Sequence, residues 1–408
     1  MESITKNRQY YKFCLYGFLK NLRFFEAFFI LFLIEKGFSF SQIGILYASR
    51  EIFINIFEIP SGIIADTYGR KNVLVLSFLA YIFSFILFYY SNSFLFFLIA
   101  FLMFGIGDAF RSGTHKAMIM QYLKINNWED QKTNYYGYTR SWSQKGSAIA
   151  SLIAGFIVFY SGQYQNIFLY SIIPYIINFF LILSYPKALN ISSKSQRNTN
   201  IPSVFKNFVC SIKEPKVFQL INSSATHSAF LKAIKDYIQP LLLNISLLIP
   251  FMLEIEPDKK NGIIIGLVYF LIYLLTSVAS KKAAKIESLS PSISAISLTL
   301  GLGFGVLCGV FYIQQLWFLA ILSFVGIYII ENIRKPILTA FIANKVPNEI
   351  LSSVISAQSQ LKTLLTVIIA ISFGVLADTF GIGLAFIIVS VTILTAIIFI
   401  NLLIKKAS

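Results

Sequence analysis

The sequence predicts an all-α membrane protein of twelve transmembrane helices arranged as two pseudo-twofold six-helix bundles. Three observations carry this prediction: the composition, the number of span-length apolar runs, and short repeats that keep register between two halves. Of 408 residues, 56% are hydrophobic and 13% charged, with a mean hydropathy of +0.71, whereas a soluble domain carries roughly 25% charged residues. A helix needs about 20 mostly apolar residues to cross a bilayer. Twelve runs qualify, near 13–35, 42–64, 72–91, 94–121, 136–160, 164–185, 216–243, 262–280, 289–312, 315–341, 350–374 and 382–404. A membrane barrel needs short segments that alternate apolar and polar faces, but 382–400 is apolar on nearly every face.

In chain order, residues 1–12 are polar, and the first run reaches span length with Lys20, Arg23 and Glu26 inside it, so it reads as a retained helix rather than a cleaved signal. The longest polar stretch, 186–215, is rich in Ser, Asn and Lys and reads as a cytoplasmic linker between residues 1–185 and 216–408. The stretch 254–262 reads as an external loop after the seventh span. With the amino terminus inside, nineteen of the 34 Lys and Arg fall at inner loops or tails, and only Lys36, Lys259 and Lys260 fall outside. The positive-inside rule therefore predicts a multi-pass protein of the cell inner (plasma) membrane with both termini cytoplasmic.

Three echoes relate the halves. Phe18-Leu-Lys-Asn-Leu-Arg23 in span one returns as Phe230-Leu-Lys-Ala-Ile-Lys235 in span seven; Asp108…Arg111 in span four returns as Glu331…Arg334 in span ten; and the pair Gly155…Gly162 returns as Gly374…Gly381. Their common order argues for two homologous halves, and parallel repeats of this kind place a binding site near the bilayer midplane.

The loop after span two, Glu58-Ile-Pro-Ser-Gly62-Ile-Ile-Ala-Asp66-Thr-Tyr-Gly69-Arg70-Lys71, carries the pattern G-x-x-x-D-x-x-G-R-K. It resembles the signature loop of the major facilitator superfamily, and 347–386 resembles the eleventh and twelfth spans of bacterial members. The resemblance implies two bundles that rock about a central site, with an inner-gate role for Gly62, Asp66, Gly69, Arg70 and Lys71. Independently, the glycines permit close approach and a sharp turn, and Asp66, Arg70 and Lys71 are placed to pair across the cytoplasmic mouth. The matching loop of the second half, Ser277–Lys285, has Lys281 where the acid should stand, which implies asymmetric gating. The proline that drug-exporting antiporters of the family carry in span five does not follow Gly146…Gly155.

Away from the loops, twelve cations remain: Lys20, Arg23, Arg50, Arg111, Lys116, Arg140, Lys145, Lys232, Lys235, Arg334, Lys335 and Lys362. Six acids lie at comparable depth: Glu26, Glu51, Glu58, Asp108, Asp236 and Glu331, leaving a cationic excess of six. Each Lys or Arg at a lipid-facing helix centre costs roughly 2.5–3.5 kcal/mol, so these residues must face protein, water or the interface. Arg50–Glu51, Asp108–Arg111, Lys232–Asp236 and Glu331–Arg334 are candidate structural pairs. The surplus points to a bound anion, with Arg23, Lys20, Arg111, Arg140, Gln144, Lys232, Lys235 and Arg334 as candidate contacts and Arg23 opposite Lys235 as its clamp. This arrangement is similar to the paired cations of organic-phosphate members of the family. Glu26, Asp108, His115 and Glu331 are the candidate proton carriers, with Asp108, Arg111 and His115 on one helical stripe. Tyr135, Tyr136 and Tyr138 are expected at the cytoplasmic interface.

Cys14, Cys210 and Cys308 are too far apart to suggest a disulfide framework or a metal site. No Ser/His/Asp constellation, metal spacing or phosphate-binding loop is present, so an enzyme is not expected. No cofactor is expected, no nucleic acid is implied by the positive charge, and the partners are a small solute and the lipid bilayer, with the chain acting as a monomer. The alternatives are a proton-coupled drug exporter of the same superfamily using Glu26, Glu51 or Asp108, and a non-transporting membrane receptor or scaffold.

Overall fold

The computed structural model describes residues 5–190, 215–247, 256–287, 293–345 and 348–407. Among these residues no strand is present, and fifteen α-helices form: α1 (Arg8–Lys20), α2 (Phe29–Glu35), α3 (Phe40–Tyr68), α4 (Arg70–Tyr90), α5 (Phe94–Arg111), α6 (Thr114–Ile125), α7 (Lys132–Ser161), α8 (Asn166–Leu183), α9 (Pro215–Ile234), α10 (Ile238–Leu247), α11 (Pro257–Glu287), α12 (Ile293–Ile313), α13 (Trp317–Lys345), α14 (Asn348–Phe380) and α15 (Ile382–Ala407). Among the described residues, eight helical segments are long and apolar enough to cross a membrane, and they correspond to predicted spans three, four, six and eight to twelve. The other four depart for visible reasons. Spans one and seven are interrupted, α3 carries Arg50 and Glu51 in mid-helix, and α7 carries Arg140, Gln144 and Lys145.

The chain divides into two compact units. Unit 1 comprises Met1–Lys36, Ser49–Ser195 and Ile249–Tyr273; unit 2 comprises Gly37–Ala48, Gln196–Leu248 and Leu274–Ser408. Within unit 1, α4 packs on α5 and α8, and α1 packs on α7. The α1–α7 seam is close because Gly17 lies against Ser143 and Gly146 against the Phe18 carbonyl, where a Cβ would collide. Lipid gives helices little hydrophobic reason to associate, so such small-residue contacts supply the packing. An aromatic cluster fills the rest. Phe29 stacks on Phe101 with centroids 5.1 Å apart, and Phe168 stacks on Phe25 at 5.5 Å, each pair contributing about 0.5–1.5 kcal/mol. These rings hold the seven-residue helix α2, which is too short to be stable alone.

Within unit 2, α12 packs on α13 and α15, and α9 packs on α14. Gly301 and Gly305, one turn apart on α12, face His227 and Phe230 of α9. A larger residue at 301 would overlap the imidazole.

Candidate functional site

Both interrupted spans break where the sequence repeats. Helix α1 stops at Lys20, and Arg23 is non-helical (φ −94, ψ 81). One 3-10 turn follows (Phe24–Ala27), and the helix resumes as α2. Helix α9 stops at Ile234, and the 3-10 turn Lys235–Tyr237 separates it from α10. Aligning Phe18 with Phe230 sets Arg23 on Lys235, so each cation marks a break.

A broken helix frees carbonyls that lipid cannot satisfy. In unit 1 the Tyr175 hydroxyl donates to the Lys20 carbonyl at 3.0 Å, while Asn21 Nδ2 donates to the Ser143 carbonyl at 2.7 Å and to Ser147 Oγ at 3.2 Å. In unit 2 the Tyr328 hydroxyl donates to the Lys235 carbonyl at 2.9 Å. A tyrosine from a neighbouring helix thus pins each break. Interrupted helices of this kind are where membrane transport proteins place solute and ion sites.

Charge gathers at the first break. Asp108 Oδ1 accepts from Arg111 Nη2 at 3.0 Å, from Arg23 Nη2 at 3.3 Å and from the Tyr81 hydroxyl at 2.6 Å. Arg111 Nε donates to the Tyr81 oxygen at 3.0 Å, and Arg23 Nε to the Tyr175 oxygen at 3.2 Å. Lys20 lies within electrostatic reach of Arg111, Arg23, Asp108 and Glu26. Arg50 also acts on Asp108 and pairs with Glu51, so among these residues four formal cations stand near three acids. Beside them is a small cavity whose polar lining comes from Asn21, Arg23, Glu26, Ser147, Ser151, Tyr269 and Tyr273.

At the second break, Asp236 is buried, with Oδ2 accepting from the Tyr47 hydroxyl at 2.8 Å and Oδ1 3.8 Å from Lys235 Nζ. Further along unit 2, His227 Nδ1 lies 2.7 Å from Glu331 Oε2, and the Ser228 hydroxyl donates to Glu331 Oε1. An unprotonated Glu331 carboxylate only accepts, so Nδ1 carries the proton and His227 Nε2 is left as an acceptor. That nitrogen is buried against Gly301 with no hydrogen-bond partner among the described residues. Arg334, 2% exposed, donates to Ser297 Oγ at 2.7 Å, Ser223 Oγ at 2.8 Å and the Ser223 carbonyl at 3.0 Å.

Against known proteins, the sequence profile described as the Major Facilitator Superfamily matches residues 16–365. The chain belongs to the Major Facilitator Superfamily. It is accordingly a multi-pass membrane transporter and not an enzyme. A Bacillus subtilis (strain 168) relative, the uncharacterized MFS-type transporter YxaM, is 23% identical over 378 residues, covering 92% of this chain and 90% of the relative. The MFS-type transporter MJ1317 of Methanocaldococcus jannaschii is 33% identical over 138 residues, 34% of this chain and 33% of its own. Among solved structures, the nucleoside transporter NupG aligns with a TM-score of 0.73 at 12% identity over 96% of both chains. A bacterial homologue of the lysosomal transporter Spinster aligns at 0.73 and 13% identity over 98% of both chains. At these identities the structures establish the shared MFS fold alone.

The MFS signature loop lies at the α3–α4 junction. Gly69 has φ 95 and abuts Asn190, so only glycine fits there. Arg70 donates to Gln121 Oε1 at 3.0 Å and to the Ala117 carbonyl at 3.4 Å. Lys71 Nζ donates to the Leu183 and Tyr185 carbonyls at 2.6 and 3.0 Å, and Lys12 Nζ to the Ser184 carbonyl at 2.7 Å. Cations are favoured at a helix carboxy terminus, so Lys71 and Lys12 cap α8 within unit 1. Partial burial, then Arg8 and Lys71, hold the Lys12 amine below its ordinary value. The Asp66 side chain and the surroundings of Gly62 lie outside the described residues.

Other expectations are redrawn. Span four breaks at Ser112–Gly113 (Gly113 φ 72), so the stripe through Asp108 and Arg111 does not continue to His115. His115 instead stacks on Tyr16 with centroids 3.6 Å apart and lies 3.3 Å from the Tyr185 hydroxyl. Asp236 has Lys235 as an ion-pair partner at 3.8 Å, and Glu331 meets His227. Arg50–Glu51 pairs as expected, at 3.1 Å. Lys232 is half-buried on α9. Arg140 and Gln144 are exposed along α7. Tyr135 is fully buried against Tyr10. Tyr175, Tyr328, Tyr81 and His227 were missed as site residues. With 22 tyrosines in the chain, composition does not single these out. Their signal is a hydroxyl in an apolar run, which needs a partner.

Proposed function

We propose that the chain is a secondary active transporter of a small organic anion, working by alternating access and coupled to protons or to exchange of a second solute. The observation that carries this reading is the Lys20–Arg23–Arg111 group around Asp108 at an interrupted helix. Its acids do not neutralise it, and an anionic solute supplies the missing charge. Arg23 and Lys235, each at the break in its own unit, are the cations given the solute; Lys20, Arg111, Lys232 and Arg334 set the surrounding field. Arg140 and Gln144 have no role in this reading.

The proton is assigned to Glu331 with His227. A carboxylate held by an imidazole N–H and a hydroxyl, away from water, exchanges a proton only when its surroundings change. Asp108, locked between two guanidiniums, stays ionised in this scheme. The protein is placed in the inner membrane as a monomer with both termini cytoplasmic.

One observation favours a second reading. Glu26, Tyr269 and Tyr273 line the small cavity together, and a carboxylate with aromatic rings suits a lipophilic cation, as a proton-coupled drug exporter would require. A thermal-shift screen of the purified protein against anionic metabolites and lipophilic cations, followed by flux in liposomes, separates the readings. Stabilisation and flux by an anion support the first. A response to cations alone would replace it with the second, and no response to either class would refute both readings of the solute.

A further inference from the structure

The turn that ends α14 repeats the signature turn that ends α3. Gly374-Val-Leu-Ala-Asp378-Thr-Phe-Gly381 stands beside Gly62-Ile-Ile-Ala-Asp66-Thr-Tyr-Gly69. Both copies close on a glycine in the left-handed region, φ 84 at Gly381 and φ 95 at Gly69, and both lead directly into the next helix.

In the second copy the acid is engaged. Asp378 Oδ1 accepts from the Phe40 N–H at 2.8 Å, and Oδ2 accepts from the Ser41 N–H at 2.7 Å and the Ser41 hydroxyl at 2.5 Å. These amides open α3 and have no partner inside that helix. Asp378 therefore caps α3 from a different helix, and its charge suits the positive end of the α3 dipole. The same two helices meet again through glycine. A Cβ at Gly374 would collide with the Phe40 carbonyl, and one at Gly44 with the Ala370 carbonyl. Residues 40–48 of α3 thereby belong to unit 2, while the helix from Ser49 onward belongs to unit 1.

We propose that Asp378, set on the same kind of turn as the signature acid, is a latch on α3 which must let go of the Phe40–Ser41 amides in each transport cycle. Its setting suits reversible release. Asp378 is exposed, so water replaces the lost partners, whereas a buried carboxylate released from its donors would carry a penalty that locks it shut. The glycine contacts are non-polar on release and leave no charge unpaired. The inference rests on alternating access in this family and not on which solute is carried.

Hydrogen–deuterium exchange on the full chain in lipid nanodiscs, without solute, tests it. Asp378→Ala removes a helix cap, so protection at residues 40–48 should fall roughly three- to thirty-fold, and protection at 370–374 of α14 should fall with it. Asp378→Asn keeps one acceptor and should give an intermediate loss at both segments; Ser41→Ala, which removes only the hydroxyl bond, should give the smallest. Loss confined to residues 40 and 41 would make Asp378 a simple helix cap and overturn the latch, as would unchanged exchange throughout. If Asp378→Ala fails to insert, the same comparison in Asp378→Asn and Ser41→Ala decides.

Discussion

Removing Arg23 separates solute binding from scaffolding. In Arg23→Ala the Asp108 carboxylate keeps Arg111 at 3.0 Å and the Tyr81 hydroxyl at 2.6 Å, so no buried charge is stranded. What is lost is one charged hydrogen bond at 3.3 Å and one to Tyr175 at 3.2 Å, about 1.5–3 kcal/mol for a charged bond. A solute anion about 4 Å from the guanidinium is attracted by roughly 4 kcal/mol at an effective dielectric of about 20, offset in part by desolvation. Truncating one member of such a pair costs about 2–5 kcal/mol, which is roughly thirty-fold or more in affinity. Asp108→Asn should do the opposite. It leaves two guanidiniums without their acid, destabilising the protein by about 3–5 kcal/mol, while anion affinity holds or rises. The double variant should regain part of the stability and none of the affinity. Thermal unfolding and Kd for the anion found by screening, measured on all three, make the comparison. Full affinity in Arg23→Ala, or equal affinity losses in Arg23→Ala and Asp108→Asn, would refute the charge argument.

Tyr175→Phe and Tyr328→Phe each remove one hydroxyl from a freed carbonyl and should lower stability by about 1–3 kcal/mol, with faster amide exchange at 21–28 and 235–238 respectively; unchanged exchange would show that the tyrosines do not pin the breaks. Glu331→Gln should abolish proton-driven accumulation in liposomes yet retain solute exchange, and His227→Gln should shift the pH dependence of accumulation; wild-type profiles in both would remove the pair from coupling. Asp66→Asn should slow turnover with solute affinity nearly intact, and a large loss of affinity at normal turnover would contradict a gating role.

The helical class and the family were legible because they rest on long-range composition and on a ten-residue signature. Apolar length fixed eight spans, and the repeats at Phe18 and Phe230 located both breaks without revealing that they are breaks. Nothing in Phe18–Arg23 contains proline or glycine to interrupt a helix. The interruption comes from tertiary partners, Ser143, Ser147 and Tyr175, that no local pattern shows. Spacing rules failed in the same way at His115, because a helical stripe assumes one continuous helix and Gly113 ends it. Acid–base pairs three or four residues apart were legible where both partners share a helix, as in Asp108–Arg111. Glu331 found its partner His227 across 104 residues, beyond the reach of any periodicity.

The coincidence of cations with breaks has an energetic reason. A freed carbonyl in a bilayer costs several kcal/mol if nothing meets it, and a central cation costs roughly 2.5–3.5 kcal/mol if it faces lipid. Placed together, each reduces the other's penalty, since a positive charge just past a helix carboxy terminus is favourable by about 0.3–1 kcal/mol. Lys20 closes α1, Arg23 follows it, and Lys235 follows α9, so the repeated segment puts charge at the negative end of a half-helix in both units. A tyrosine hydroxyl then meets the carbonyl and spares the cation that task, leaving donors on Arg23 for Asp108. The break thus lowers the cost of a cation beside its acid, Asp108 for Arg23 and Asp236 for Lys235, and an acid divided between two cations, as Asp108 is between Arg23 and Arg111, would leave charge for an anion to engage.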